Sequence, residues 1–184
     1  MGAGSRRRLR AWAEELVASH GGAVAGLIGV APPLPAVAIE VEPGGQVPGV
    51  TGGTTIVLGG RWFAEHPDDA GCVIHELTHA YMRAPGYDAD TIWLIEGIAD
   101  YVRDVMGYDA PWTRAHHVPG LATAGYQTTA HFLLWLEARR AGAVVELSRR
   151  LSAGSYAEGV FVEIAEHPLG DLVRLYERDQ TDGA

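Results

Sequence analysis

The sequence contains no lysine, no asparagine and only one cysteine, Cys72. A single cysteine cannot form an intrachain disulfide, which argues against a small disulfide-stapled domain and fits a reducing compartment. No apolar run approaches the roughly 20 residues that a membrane-spanning helix requires. Lysine and asparagine both use A-rich codons, so their absence is typical of genes from GC-rich bacteria. We therefore predict a bacterial protein that neither depends on disulfides nor spans a membrane.

The charge balance of the chain is acidic. The 184 residues carry a formal net charge of −9, with 47% hydrophobic and 20% charged side chains. Such a charge argues against nucleic acid or an anionic membrane as the main partner. The length suits one domain with a sizeable core, and we predict a single domain over residues 1–184. The sequence does not indicate an oligomeric state.

The first residues give no sign of export. The segment MGAGSRRRLRAWAEEL has arginines but lacks the apolar stretch of a signal peptide. The Met-Gly start resembles a myristoylation site, but Arg6 stands where serine or threonine is expected. The sequence as it stands predicts a cytoplasmic protein, and a secreted one if a signal has been removed.

Strand patterns occur early in the chain and helix patterns dominate afterwards. Alternating apolar residues over Val37–Val41 and the β-branched run Thr54–Leu58 predict two strands. The Gly- and Pro-rich segment Pro43–Gly53 between them predicts turns around a short extended piece. Arg6–His20 has an amphipathic helical pattern that Gly21-Gly22 can end. Further helices are predicted at Asp68–Arg83, Ile92–Met106, Ala124–Arg140, Val144–Leu151, Tyr156–Glu166 and Leu169–Arg178. This order indicates an α+β fold, with a small mixed sheet followed by a mostly helical part.

The segment VIHELTHAYM, from Val73 to Met82, carries the clearest chemical signal. Its spacing H-E-x-x-H places His75 and His79 on one face of a helix, where both imidazoles can bind the same metal ion. Glu76 lies beside them, in position to take a proton from a metal-bound water. The apolar character of the helix predicts that this face is buried, which favours a functional role for its polar groups. Cys72, one turn before His75, is interpreted as a small buried residue, with metal ligation as the alternative.

A catalytic zinc site usually has three protein ligands and one open position. The segment WLIEGIADYVR places Glu96 and Asp100 four residues apart on the next helix, and Glu96 follows His79 by seventeen residues. That interval allows a turn and an antiparallel return, so Glu96 can complete a set of two histidines and one glutamate. Asp100 is predicted to accept a hydrogen bond from the far ring nitrogen of a ligand, His75, and so to fix its tautomer.

Other histidines offer alternatives for the third ligand. The extended motif with a third histidine fails, because Met82 and Pro85 occupy the positions of its glycine and histidine. His116 or His117 could supply a ligand from the loop that follows the second helix of this pair. Capping or surface roles fit His20, His66 and His167. His131 on the third helix could approach the site or could simply be packed.

Several segments together resemble the basic secretory protein family of plants and bacteria, a set of zincin-type metallopeptidases. They are HELTH, LIEGIADYVR, GYQTTAHFLLWLE and the upstream PGVTGGTTIVLGGRWF, and the resemblance spans about Val50 to Tyr176. It implies a zincin-like fold in which His75, His79 and Glu96 bind Zn²⁺ and Glu76 acts as the base. The chain differs from the family name in being acidic and in showing no signal peptide.

The predicted mechanism is hydrolysis of a peptide bond in a peptide or protein substrate. Glu76 would take a proton from a zinc-bound water and pass it to the leaving amine. Tyr126, which opens the third helix, is the candidate second donor to the oxyanion, with His116 and His117 as rivals. The strand Thr54–Leu58 could bind substrate by pairing with the peptide as another strand, or could simply be a member of the sheet.

Two further functions compete with a zinc peptidase. The first is a metal-dependent enzyme that acts on a non-peptide small molecule, because the motif does not fix the substrate. The second is a non-catalytic binding protein on the same scaffold. The intact Glu76 argues against it, since a binding protein has no use for the base.

Overall fold

A computed structural model describes residues 1–182. Within them the chain forms eight helices and three strands, in the order α1 (Ala3–Ile28), β1 (Ala38–Glu42), β2 (Gly49–Gly52), β3 (Thr55–Gly59), α2 (Trp62–Glu65), α3 (Ala70–Met82), α4 (Ile92–Val105), α5 (Tyr126–Arg139), α6 (Ala143–Ser152), α7 (Val160–Ala165) and α8 (Leu169–Asp182). None of the helices within the described part combines the length and apolarity needed to cross a membrane.

The three strands form one mixed sheet in the order β1-β3-β2. β1 is parallel to β3, and β2 is antiparallel to it. Together with the helical remainder, this confirms the predicted α+β class. Because β3 is central and pairs on both sides, the suggestion that Thr54–Leu58 binds substrate as an additional strand is wrong. β2 (Gly49–Gly52) lies within Pro43–Gly53, where turns around a short extended piece were predicted, and it is the extended piece of that segment.

The end of β3 requires a residue without a side chain. A Cβ atom on Gly59 would lie 1.9 Å from the carbonyl oxygen of Val47, far inside van der Waals contact. Gly60 is similarly close to the backbone of Glu42 and Pro43, so other backbone segments pass directly against Gly59 and Gly60. This contact fixes the segment that leads into β2.

Helix α1 continues well beyond its predicted end at Gly21-Gly22 and finishes at Gly29, whose φ of 73° gives the left-handed cap. The prediction is wrong because Gly21 serves packing and not termination. A Cβ atom there would lie 2.5 Å from the hydroxyl oxygen of Tyr81 on α3. The glycine thus allows α1 and α3 to approach closely.

The chain divides into two compact units, with the boundary after Arg83. In the first, Met1–Arg83, α3 packs on α1 and on the sheet, and buried apolar residues such as Ile56, Leu58 and Ile74 form the core. The prediction of a single domain over residues 1–184 stays a prediction, and its last two residues lie outside the described ones.

The second unit, which begins at Ala84, is helical. Its main packing is between α4 and α5, where a Cβ atom on Gly97 would lie 2.1 Å from Cγ2 of Thr129. The predicted helices agree with α4, α5, α6 and α8 within a few residues at most ends. α7 is shorter than the predicted Tyr156–Glu166, and it ends where Glu166 adopts a left-handed conformation.

Candidate metal centre

Helix α3 carries the H-E-x-x-H residues and is firmly capped. The side chain of Asp69 accepts from the backbone N–H of Cys72 at 3.0 Å, as an N-cap does. Its second oxygen accepts from the indole of Trp62 at 2.9 Å. The helix ends at Arg83, whose φ is 49°. The helix therefore begins at Ala70, two residues after its predicted start at Asp68, and Asp69 is its cap.

The two histidines of the motif turn toward each other. The Nε2 atoms of His75 and His79 are 3.0 Å apart, and the two rings meet edge to face. His75 is buried and His79 is half-buried. The helical spacing therefore does bring one nitrogen of each ring to the same point, as predicted.

Glu76 is buried beside them, with 7% of its surface exposed. Its carboxylate accepts a hydrogen bond of 2.6 Å from the hydroxyl of Thr51 on β2. A buried carboxylate needs such a partner to offset its loss of hydration. Thr51 did not emerge from the sequence, because it lies in the Gly- and Pro-rich segment that gave no strand pattern.

Glu96 lies on α4 and is 4% exposed. The hydroxyl of Tyr87, from the loop before this helix, donates to Oε1 of Glu96. A Cβ atom on Gly125, just before α5, would lie 4.0 Å from Cβ of Glu96. Tyr87 was also missed from the sequence, which assigned it only to a short polar loop.

One nitrogen each of His75 and His79 and one carboxylate oxygen of Glu96 all lie within 4.8 Å of one another. Among the described residues this is the group of three or more donors suited to a metal ion. Ligand atoms that each lie about 2.0–2.2 Å from one zinc ion are separated from one another by distances of this order. Two imidazoles and one carboxylate form a donor set that occurs in catalytic zinc sites. The residues therefore fit the predicted ion. Cys72 is buried but does not belong to the group.

Asp100, one turn after Glu96, is almost fully buried and forms an ion pair of 2.8 Å with Arg103 on the same helix. Arg103 also donates to the backbone oxygen of Thr113 at 3.3 Å. A charge-assisted hydrogen bond of this kind holds a buried carboxylate in one orientation. The proposed contact of Asp100 with His75 stays a prediction, and Arg103 is an addition that sequence reasoning did not make.

Tyr126 begins α5, as the sequence predicted for the candidate oxyanion donor. Its φ of 49° is unusual for a residue other than glycine, and about half of its surface is exposed. Such backbone conformations cost energy and are common near functional sites. The conformation is compatible with a role for Tyr126 that remains a prediction.

The loop histidines have other partners. His117 lies 2.7 Å from the carboxylate of Glu177 on α8, and Nδ1 of His116 lies 3.0 Å from the backbone oxygen of Arg114. Neither belongs to the group of three donors found in residues 1–182. His131 is packed, with Nδ1 2.8 Å from the hydroxyl of Tyr176. Burial lowers the pKa of His131, and the neighbouring His117 and His116 lower it further.

A family model described as "Peptidase of plants and bacteria" matches residues 35–176. The match covers α3, α4 and α5, and with them every residue of the group just described. No curated protein and no solved structure matches the chain. The resemblance drawn from the sequence over about Val50 to Tyr176 is confirmed and reaches further toward the N-terminus. The chain belongs to this family of peptidases of plants and bacteria, the basic secretory protein family.

Proposed function

We propose that the chain is a zinc-dependent peptidase. The observation that carries the proposal is the convergence of two imidazole nitrogens and one carboxylate oxygen, from His75, His79 and Glu96, next to a buried glutamate. Membership in a peptidase family supplies the reaction class. The substrate would be a peptide or protein whose scissile bond reaches this group.

The three side chains would hold the metal ion through Nε2 of the histidines and one oxygen of Glu96. A zinc ion bound there would supply Lewis acidity and would lower the pKa of a coordinated water toward about 7. The hydrogen bond from Tyr87 to Oε1 of Glu96 orients this carboxylate. Such a partner also raises the precision with which a ligand is held.

Glu76 would act as the general base. Its carboxylate takes the proton of the attacking water and later gives it to the leaving amine, so that the proton never leaves the site. Its burial and its place directly after His75 in helix α3 support this role. Tyr126 is proposed as the second donor to the oxyanion, a role in which one well-placed hydrogen bond contributes a few kcal/mol, about 2.7–4 in a known case.

The proposal is tested by removing and restoring the metal ion. Purified protein is treated with a chelator, and cleavage of fluorescein-labelled casein is followed before treatment, after it, and after addition of Zn²⁺. We expect one zinc per chain, loss of cleavage without it and recovery on addition. Cleavage that persists in protein shown to be metal-free would contradict the proposal. Hydrolysis of small esters or amides without cleavage of casein would instead favour a non-peptide substrate.

A further inference from the structure

Strand β2 presents two residues toward helix α3. Gly49 pairs with Leu58 and Thr51 with Ile56 across the antiparallel ladder, and directly opposed residues share one face of the sheet. Leu58 and Ile56 are fully buried, so this is the face that packs on α3. Val50, between the two, lies on the opposite face and is exposed. Because of this alternation, Gly49 and Thr51 face helix α3 and Val50 does not.

Both residues meet the same side chain on α3. The hydroxyl oxygen of Thr51 is 2.6 Å from Oε2 of Glu76 and 3.1 Å from the backbone oxygen of Glu76. The hydroxyl has one proton, and the shorter contact to the charged oxygen is the stronger hydrogen bond. Thr51 therefore donates to Oε2, which leaves Oε1 for other protons.

Gly49 borders the other side of the same carboxylate. A Cβ atom at Gly49 would lie 2.7 Å from Cγ of Glu76, 3.0 Å from its Oε1 and 3.1 Å from Sγ of Cys72. The first of these distances is shorter than any real contact, so a side chain at position 49 would displace the glutamate. The absence of a side chain at Gly49 and the hydroxyl of Thr51 together define one position for the carboxylate.

We infer that β2 is the positioning element of the general base: Thr51 holds Oε2 of Glu76 and thereby assigns proton transfer to Oε1, while Gly49 leaves the space that this arrangement needs. The inference rests on the proposed function, in which Glu76 is the base. Thr51 acts through Glu76 and is a positioning residue. A misplaced base costs rate in the chemical step and not in substrate binding.

The test replaces the hydroxyl of Thr51 without changing the size of the side chain. Thr51→Val should lower kcat on fluorescein-labelled casein by about 10- to 100-fold, the range for loss of one hydrogen bond to a charged group, with KM and zinc content unchanged. Thr51→Ser keeps the hydroxyl and should restore most of kcat. Thr55→Val is the matched control, because Thr55 pairs with Gly52 on the opposite face, and it should match the wild type.

Two further measurements test whether Thr51 and Gly49 act through the position of Glu76. Crystal structures of the metal-free wild type, Thr51→Val and Gly49→Ala should show Glu76 in its described position only in the wild type. In a double-mutant cycle, Thr51→Val should add little to the loss already caused by Glu76→Gln, because both act through one carboxylate.

The outcomes separate this inference from the proposed function. Full activity of Glu76→Gln would overturn the proposed function and the inference with it. An inactive Glu76→Gln together with unchanged kcat in Thr51→Val would overturn the inference alone. Equal losses in Thr51→Val and Thr51→Ser, additive effects in the cycle, or an unmoved Glu76 in the two variant structures would also overturn it.

Discussion

Among residues 1–182, two pairs of histidine rings lie close together, and the nitrogens of the two pairs have different surroundings. On α3, the Nε2 atoms of His75 and His79 lie 3.0 Å apart. In the second histidine pair, His117 and His131, the ring centres are 6.4 Å apart. There Glu177 accompanies His117 at 2.7 Å and Tyr176 accompanies His131 at 2.8 Å, each through its own contact.

The difference shows that closeness of histidines does not by itself make a metal site. One nitrogen of each ring in the first pair lies within 4.8 Å of a carboxylate oxygen of Glu96, whereas those of the second pair contact separate partners. A metal ion requires donors that converge. Helical spacing of four residues achieves convergence on α3, and contacts between distant segments do not achieve it at His117 and His131.

The largest fall in activity is expected when the general base is removed. Glu76→Gln keeps the shape of the side chain but cannot accept the proton, so kcat for casein should fall by about 10²- to 10⁴-fold while zinc remains bound. Glu177→Gln makes the same change beside the second histidine pair and should leave kcat unchanged. Comparable losses in both variants would remove the distinction between the two pairs.

Loss of the third ligand should act on the metal itself. Glu96→Ala leaves only two imidazoles to bind the ion. Its zinc affinity is measured by competition with a chromophoric chelator. The affinity should fall by more than about 10- to 100-fold, which is the loss expected when only a hydrogen-bond partner of a ligand is removed. His117→Ala removes an imidazole from the second pair and is the control, with wild-type affinity expected. If Glu96→Ala bound zinc as tightly as the wild type, another residue would have to be the third ligand.

Removal of the hydrogen bond to Glu96 should give a smaller change of the same kind. Tyr87→Phe should weaken zinc binding by about 10- to 100-fold, because the carboxylate loses the hydroxyl that orients it. Tyr126→Phe should retain the affinity and lower kcat, as expected for an oxyanion donor. The reverse result, with weaker zinc binding in Tyr126→Phe and lower kcat alone in Tyr87→Phe, would exchange the two assignments.

The smallest effect is expected in the second histidine pair. Burial lowers the pKa of His131 below its ordinary value of about 6.5, as do the charges of His117 and His116. The unfolded chain then takes up more protons than the folded one as the pH falls through about 6.5, so stability is present above that pH and declines below it. The thermal midpoint should therefore vary less between pH 8 and pH 5 in His131→Gln than in the wild type. Parallel curves would show that His131 titrates alike in both states.

The sequence predicted the part of the site that depends on local spacing. His75, Glu76 and His79 lie within one helix, where a period of 3.6 residues decides which side chains share a face. Glu96 was accessible for a similar reason, since it precedes Asp100 by one turn in a second strongly apolar helix. The interval between His79 and Glu96 already suggested that these two segments act together, and the family resemblance implied the same set of ligands.

The partners of those residues could not be predicted in the same way. Thr51 reaches Glu76 only because β2 pairs with β3 in one register, and the segment around it shows no strand pattern. The contact of Tyr87 with Glu96 depends on the path of a loop. Gly21 was misread for the same reason, because its packing against Tyr81 depends on a helix sixty residues away.

That contact between Gly21 and Tyr81 has a consequence for the history of the family. Position 81 lies within the matched residues 35–176 and position 21 lies before them. Since there is no space for a methyl group between Gly21 and the Tyr81 hydroxyl, the two positions cannot vary independently. Members that carry alanine or a larger residue at position 21 should carry phenylalanine or a smaller residue at position 81. Covariation of this kind would show that helix α1 has been inherited together with the helix that bears the two histidines.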